Sequence, residues 1–140
     1  MSQIVETYFC QPQFYQSLFE MPVNVPVGKR RSISDSASGT FIAADGTSQH
    51  LQKSDFEIAV REEWYSPHTQ GVYPASWEIR IHEPDCLLQA EPWMADQEVN
   101  FPPVTYWEGA VHFTGRCNGA SVQGNGYIEL TGYAGNLPMP

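Results

Sequence analysis

From about residue 40 onward, apolar and polar positions alternate with period two, the pattern of strands that bury one face. In Phe56–Trp64 the apolar residues 56, 58 and 60 are separated by polar or small ones, and Trp77, Ile79 and Ile81 alternate with Glu78, Arg80 and His82. The stretch between them, Ser66 to Pro74, carries the Pro and Gly of a loop. Two extended runs, 40–44 and 47–51, flank Asp45-Gly46, a dipeptide that tolerates the positive φ of a tight hairpin turn. Cys86–Ala90 and Glu98–Phe101 are weaker strand candidates around Pro92 and before Pro102-Pro103. The clearest unit is last, with Thr105–Gly115 and Ser121–Gly132 flanking Asn118-Gly119. Short extended runs with turn residues between them, and no long helical period, predict an all-β antiparallel barrel or sandwich.

Residues 1–31 read differently. They are Gln- and aromatic-rich, then carry Pro22, Pro26 and the basic run Lys29-Arg30-Arg31, and the stretch Tyr15–Met21 fits a short helix or a strand equally. The segment is left unassigned, with one barrel domain expected over 32–140.

A two-residue turn at Asn118-Gly119 pairs Cys117 with Ala120. Counting outward places Trp107 opposite Leu130, Val111 opposite Gly126 and Phe113 opposite Gly124. That face is apolar, and its glycines leave room for rings or for a closely approaching strand. The other face carries Tyr106, Glu108, Ala110, His112 and Thr114 against Gln123, Asn125, Tyr127, Glu129 and Thr131. On it Glu108 lies opposite Glu129, with Cβ atoms about 4.5–5.5 Å apart. Opposed like charges shielded from water leave one carboxyl protonated near neutral pH, giving an acid beside a base. With tyrosines alongside, that set suits acid-catalysed chemistry on a carbon–carbon double bond. The plainer account is a solvated strand pair whose two glutamates are separated by water.

Composition narrows the classes. The 140 residues suit one domain, and Gly and Pro, 11 each, suit a turn-rich fold. Sixteen acidic residues against seven basic ones give a net charge of −9, which repels phosphate backbones and anionic lipid, so nucleic acid is not an expected partner. The basic run is read as a solvated loop. No segment approaches the ~20 apolar residues that span a bilayer, and the N-terminal residues do not form an export signal, which makes the cytoplasm the default expectation. Cys10, Cys86 and Cys117, odd in number and widely spaced, read as free thiols, with one bridge left open.

Several chemistries lack their signatures. His50, His68, His82 and His112 share no metal-ligand spacing. No Gly-x-Ser-x-Gly elbow occurs, the cysteines have no nucleophile motif, and Gly124-Asn-Gly126 precedes no helix that would make it a phosphate loop. The aromatic set Trp64, Tyr65, Tyr73, Trp77, Trp93, Tyr106, Trp107, Tyr127 and Tyr133 suits an apolar pocket with polar handles, or a core.

Tyr106-Trp-Glu-Gly-Ala-Val111 followed by Gly124-Asn-Gly-Tyr-Ile-Glu-Leu-Thr-Gly-Tyr133 resembles the closing signature of the AttH-like and carotenoid 1,2-hydratase (hydroxyneurosporene synthase) family. Trp64-Tyr-Ser-Pro67, Gly71-Val-Tyr-Pro74 with Trp77, and Asp96-Gln-Glu98 agree in order, so the resemblance spans roughly Ser38 to Tyr133. It implies two lipocalin-like β-barrels in tandem, of which this chain is similar to the second. It also implies cofactor-independent hydration, or rearrangement and ring closure, of apolar isoprenoid- or polyene-like ligands.

Family members are about twice this length, and residues 1–31 do not resemble the strands that open the second barrel, so the barrel is expected to be incomplete at its N-terminus. The motif positions carried over as ligand-binding are Trp64, Tyr73, Trp77, Glu98, Tyr106, Trp107 and Tyr133. Glu108 and Glu129 are the acid/base candidates with Tyr127 as a polar handle, and no cofactor or metal is expected. The alternative is a non-catalytic barrel, or a fragment, that binds a small apolar ligand or docks onto a separate N-terminal barrel.

Overall fold

The computed structural model describes residues 3–11, 14–23 and 37–134, with side chains from Ala37 to Ala134. The Lys29–Arg31 run lies outside the described residues. Ten antiparallel strands form a single sheet: β1 (Gln3–Gln11), β2 (Phe14–Val23), β3 (Ser38–Ile42), β4 (Ser48–Gln52), β5 (Phe56–Tyr65), β6 (Val72–Ile81), β7 (Cys86–Pro92), β8 (Glu98–Phe101), β9 (Val104–Cys117) and β10 (Ala120–Thr131). Their order is β4-β3-β2-β1-β10-β9-β7-β6-β5, with β8 beside β9. No ladder joins β4 to β5 among the described residues, so this lipocalin-like barrel stays open along one seam. Tyr15–Met21 takes the strand alternative, and β1 and β2 link β10 to β3.

The last hairpin follows its local chemistry. Asn118 and Gly119 both have positive φ, 48° and 79°, as a right-handed strand twist demands of a two-residue turn. The pairing then runs Cys117–Ala120, Val111–Gly126, Glu108–Glu129 and Trp107–Leu130, the register read from the sequence. The odd-numbered face of β9 is the buried one. Trp107, Val111 and Phe113 pack with Ile128, Leu130, Trp77, Ile79, Ile81, Phe56 and Leu51 in one apolar cluster. Each such side chain removed from water contributes about 1.5–3 kcal/mol. Gly115 lets β7 approach, since a Cβ there would overlap the Leu87 carbonyl oxygen.

Strand β9 is longer than either neighbour on its β7 side. β7 pairs with residues 111–117 and β8 with 104–107, so a gap remains beside Glu108–Ala110. The side chain of Gln97 fills that gap as an extra rung would. Its amide nitrogen donates to the carbonyls of Ala110 (3.1 Å) and Met94 (3.0 Å), and its amide oxygen accepts from the Ala110 N–H at 2.9 Å. Gly109 makes room for it, because a Cβ at 109 would overlap the end of the Gln97 side chain. The Trp107 indole N–H closes the same loop by donating to Ala95 O at 2.8 Å.

The free-thiol expectation fails for two of the three cysteines. Cys86 and Cys117 face each other across β7 and β9 and form a disulfide. Their sequence separation of 31 hides a pairing that only strand register creates.

Candidate functional site

Alternation along β9 divides the expected site residues between two sides of the sheet. Tyr106, Glu108, Tyr127 and Glu129 stand on the outer face. Trp64, Tyr73, Trp77, Trp107 and Tyr133 pack in or against the core, and Glu98, paired with Trp107, joins their side.

On the outer face, the Tyr127 hydroxyl donates to Glu108 Oε1 at 2.6 Å, a short bond of the charge-assisted kind. Tyr127 remains 39% exposed. Its pKa is pushed up to about 12, first by partial burial, then by the hydrogen bond to Glu108 and by the nearby charges of Glu108 and Glu129. Both acids therefore act on one phenol, which stays protonated and donating at neutral pH. The main-chain N–H of Glu108 donates to the main-chain carbonyl of Gln97 at 3.3 Å, so the backbone at 97 also ties down the strand position that carries this carboxylate. Farther along the same face, His112 lies 5.2 Å from the Trp93 ring, with Nδ1 buried and unpartnered. Sequence reasoning placed His112 on this face and found no metal-ligand spacing for it. Among the described residues no cluster of three His, Cys, Asp or Glu could hold a metal.

The second grouping lies at one end of the interior. The β5–β6 loop is closed by Ser66 N–H to Gly71 O (2.8 Å) and Gln70 N–H to Ser66 O (3.1 Å). Inside it, Ser66 Oγ accepts from the N–H groups of His68 and Thr69 and donates to Glu98 Oε1 at 2.9 Å. Thr69 Oγ1 donates to Glu98 Oε2 at 2.7 Å. One carboxylate thus anchors the loop to β8 through two hydroxyls, and the exposed His68–Asp96 pair (2.8 Å) adds a second link. Beneath lies a run of rings: Trp64 and Tyr73 centroids are 6.0 Å apart, Tyr73 and Tyr133 5.8 Å. The Tyr73 hydroxyl is buried close to Glu98 and Thr69 without a well-aligned partner, and burial first, then interaction with the Glu98 carboxylate, raises its pKa above the ordinary tyrosine value.

Trp77 and Trp107, expected among the ligand-binding positions, are buried with ring centroids 6.3 Å apart. Ser66, Thr69 and Gln97 escaped sequence reasoning. The signal for Ser66 and Thr69 was their place in the Ser-Pro-x-Thr loop, and that for Gln97 its place between Asp96 and Glu98. Neither shows which partner it meets. Among the described residues no helix is long and apolar enough to cross a membrane.

The architecture is similar to that of solved structures. A crystal structure assigned to AttH from Nitrosomonas europaea aligns over 94% of this chain with a TM-score of 0.73 at 24% identity, and kievitone hydratase from Nectria haematococca aligns over 93%, again at 0.73, with 19% identity. At these identities the likeness establishes the fold, and the chain spans 39% of each of those proteins. No curated protein sequence matches it. The sequence profile described as AttH-like covers residues 27–133, more than half of the chain, and on that match the protein belongs to the AttH-like family.

Proposed function

We propose that this chain is a hydratase-like domain acting without a cofactor on an apolar isoprenoid or polyene ligand, with Glu108, Tyr127 and Glu129 as the proton-transfer set. The carotenoid 1,2-hydratase type of reaction, or a related isomerisation or ring closure, falls within this reading. The observation that supports it is the 2.6 Å hydrogen bond from Tyr127 to Glu108, with Glu129 directly opposite in register. In the proposed cycle a carboxyl proton passes from Glu129 to the less substituted alkene carbon. Water adds to the resulting cation, and its surplus proton goes to Glu108, held in place by Tyr127. The proton then returns to Glu129, and the net change is alkene plus water to alcohol. Such acid–base groups contribute about 10²–10⁴-fold each. An acyclic polyene with an isoprenoid terminus is incubated with the protein, and the products are resolved by chromatography and mass spectrometry. The Glu108→Gln/Glu129→Gln double variant is expected to form no alcohol, and undiminished turnover in it would overturn the assignment.

A second reading is favoured by the exposed apolar side chains at and around β8, namely Trp93, Met94, Phe101 and Val104. They suit a non-catalytic barrel that docks onto an N-terminal partner barrel or holds a small apolar ligand. Quenching of tryptophan fluorescence by the polyene without product supports that reading.

A further inference from the structure

We infer that Asn118 is a site of spontaneous deamidation, and that the fold directs this modification to it while sparing a second Asn-Gly dipeptide, Asn125-Gly126. In the reaction the main-chain nitrogen of the glycine sheds its proton and attacks the side-chain amide carbon of the asparagine. The new N–Cγ bond replaces the Cγ–Nδ2 bond, the amide nitrogen leaves as ammonia, and a succinimide ring remains. Water then opens the ring. Attack at Cγ gives aspartate, and attack at the main-chain carbonyl gives isoaspartate, with the chain rerouted through Cγ. The net change is asparagine plus water to an acid plus ammonia, with nothing oxidised or reduced.

By composition the two dipeptides are equivalent, since glycine leaves the attacking nitrogen unshielded in both. Their places in the sheet are not. Asn125 and Gly126 lie inside β10, paired on one side with His112 and Val111 of β9 and on the other with Cys10 and Phe9 of β1. A strand flanked on both sides commits its main-chain N–H groups to neighbouring carbonyls and is held extended. Attack by the Gly126 nitrogen therefore waits for the ladder to open, and interior strands are among the costliest elements to open locally. Asn118 and Gly119, in contrast, form the exposed turn between β9 and β10, with φ of 48° and 79°. Among the described residues no acceptor takes the Gly119 N–H, and the space beside its Cα is open.

Two neighbours act on the reacting atoms. The Asp85 N–H donates to Asn118 Oδ1 at 3.3 Å, which polarises the carbonyl whose oxygen gathers negative charge as the nitrogen adds. Arg116 donates to the Gly119 carbonyl, so a guanidinium stands one peptide away from the nitrogen that must lose its proton, and a nearby cation favours the anionic form. The product adds a carboxylate beside Asp85 in a chain already at −9, and isoaspartate lengthens the backbone of a turn whose geometry suits two residues.

The protein is held in mildly alkaline buffer, native in one series and urea-unfolded in another, and sampled over time. After reduction and trypsin digestion the fragment that follows Arg116 carries both asparagines, and tandem mass spectrometry assigns the exchange of –NH2 for –OH to 118 or 125. In the native series Asn118 is expected to react at least about tenfold faster than Asn125, because opening the ladder costs more than the ~1.4 kcal/mol that a factor of ten represents. In the unfolded series the two are expected to react at comparable rates, which assigns the selectivity to the fold. Asn125 keeping pace with Asn118 in the native protein overturns the inference, as does a native Asn118 that stays unmodified while the unfolded chain reacts.

Discussion

Gly109→Ala tests whether the Gln97 side chain serves as the missing rung between β7 and β8. The added methyl would occupy the space of the Gln97 amide, whose nitrogen and oxygen together make three hydrogen bonds to Met94 and Ala110. The amide cannot swing aside without giving those up. At roughly 0.5–1.5 kcal/mol each, their loss comes to about 3 kcal/mol. Gln97→Ala removes the same three bonds and is expected to cost about as much. The double variant decides the matter: independent effects would add to roughly 6 kcal/mol, whereas a shared contact leaves the double near either single, a coupling of about 2–3 kcal/mol. Equilibrium urea unfolding followed by tryptophan fluorescence measures this, with the m-value expected to stay constant. A Gly109→Ala shift below about 0.5 kcal/mol, or strict additivity in the double variant, refutes the strut.

Reducing the Cys86–Cys117 bridge frees a loop of 31 residues, which the chain-entropy relation values at about 3–4 kcal/mol. Calorimetry with and without reductant should show a fall in Tm of roughly 10 °C, and a fall under about 3 °C contradicts that estimate. Tyr127 keeps its proton more tightly folded than unfolded, so its stabilising contribution is intact below about pH 10 and is lost as pH rises towards about 12. Ring-carbon NMR titration should find a late-titrating tyrosine that Tyr127→Phe deletes and Glu108→Gln moves to lower pH. The pKa of His68 is raised by its hydrogen bond to Asp96 and then by that carboxylate's charge, so the pair favours folding below the unfolded value and the gain is lost as pH climbs through the folded one. Asp96→Asn should bring the measured His68 titration back down, and an unchanged midpoint contradicts the pairing.

Local chemistry made much of the last hairpin legible. Asn-Gly permits only a tight turn, and period-two alternation fixes which residues share a face, so the whole β9–β10 register, including Glu108 against Glu129, follows from counting. The same parity already separates Trp107 from Glu108. Contacts between segments distant along the chain were a different matter. Glu98 joins the buried side because β8 pairs with β9 at Trp107, and Tyr73 reaches Glu98 only through the loop that Ser66 and Thr69 tie down. Cys86 meets Cys117 because β7 slots against β9 in one register. Residues 1–31, whose short apolar runs fit helix or strand, gain two strands because the open flanks of β10 and β3 offer unpaired backbone. Periodicity and turn residues act within a few positions, so the sequence by itself determined strands, turns and faces. Pairing across the sheet obeys complementarity between remote edges, and only the tertiary structure decided which distant residues, Glu98 with Ser66 and Thr69 or Cys86 with Cys117, meet on each side.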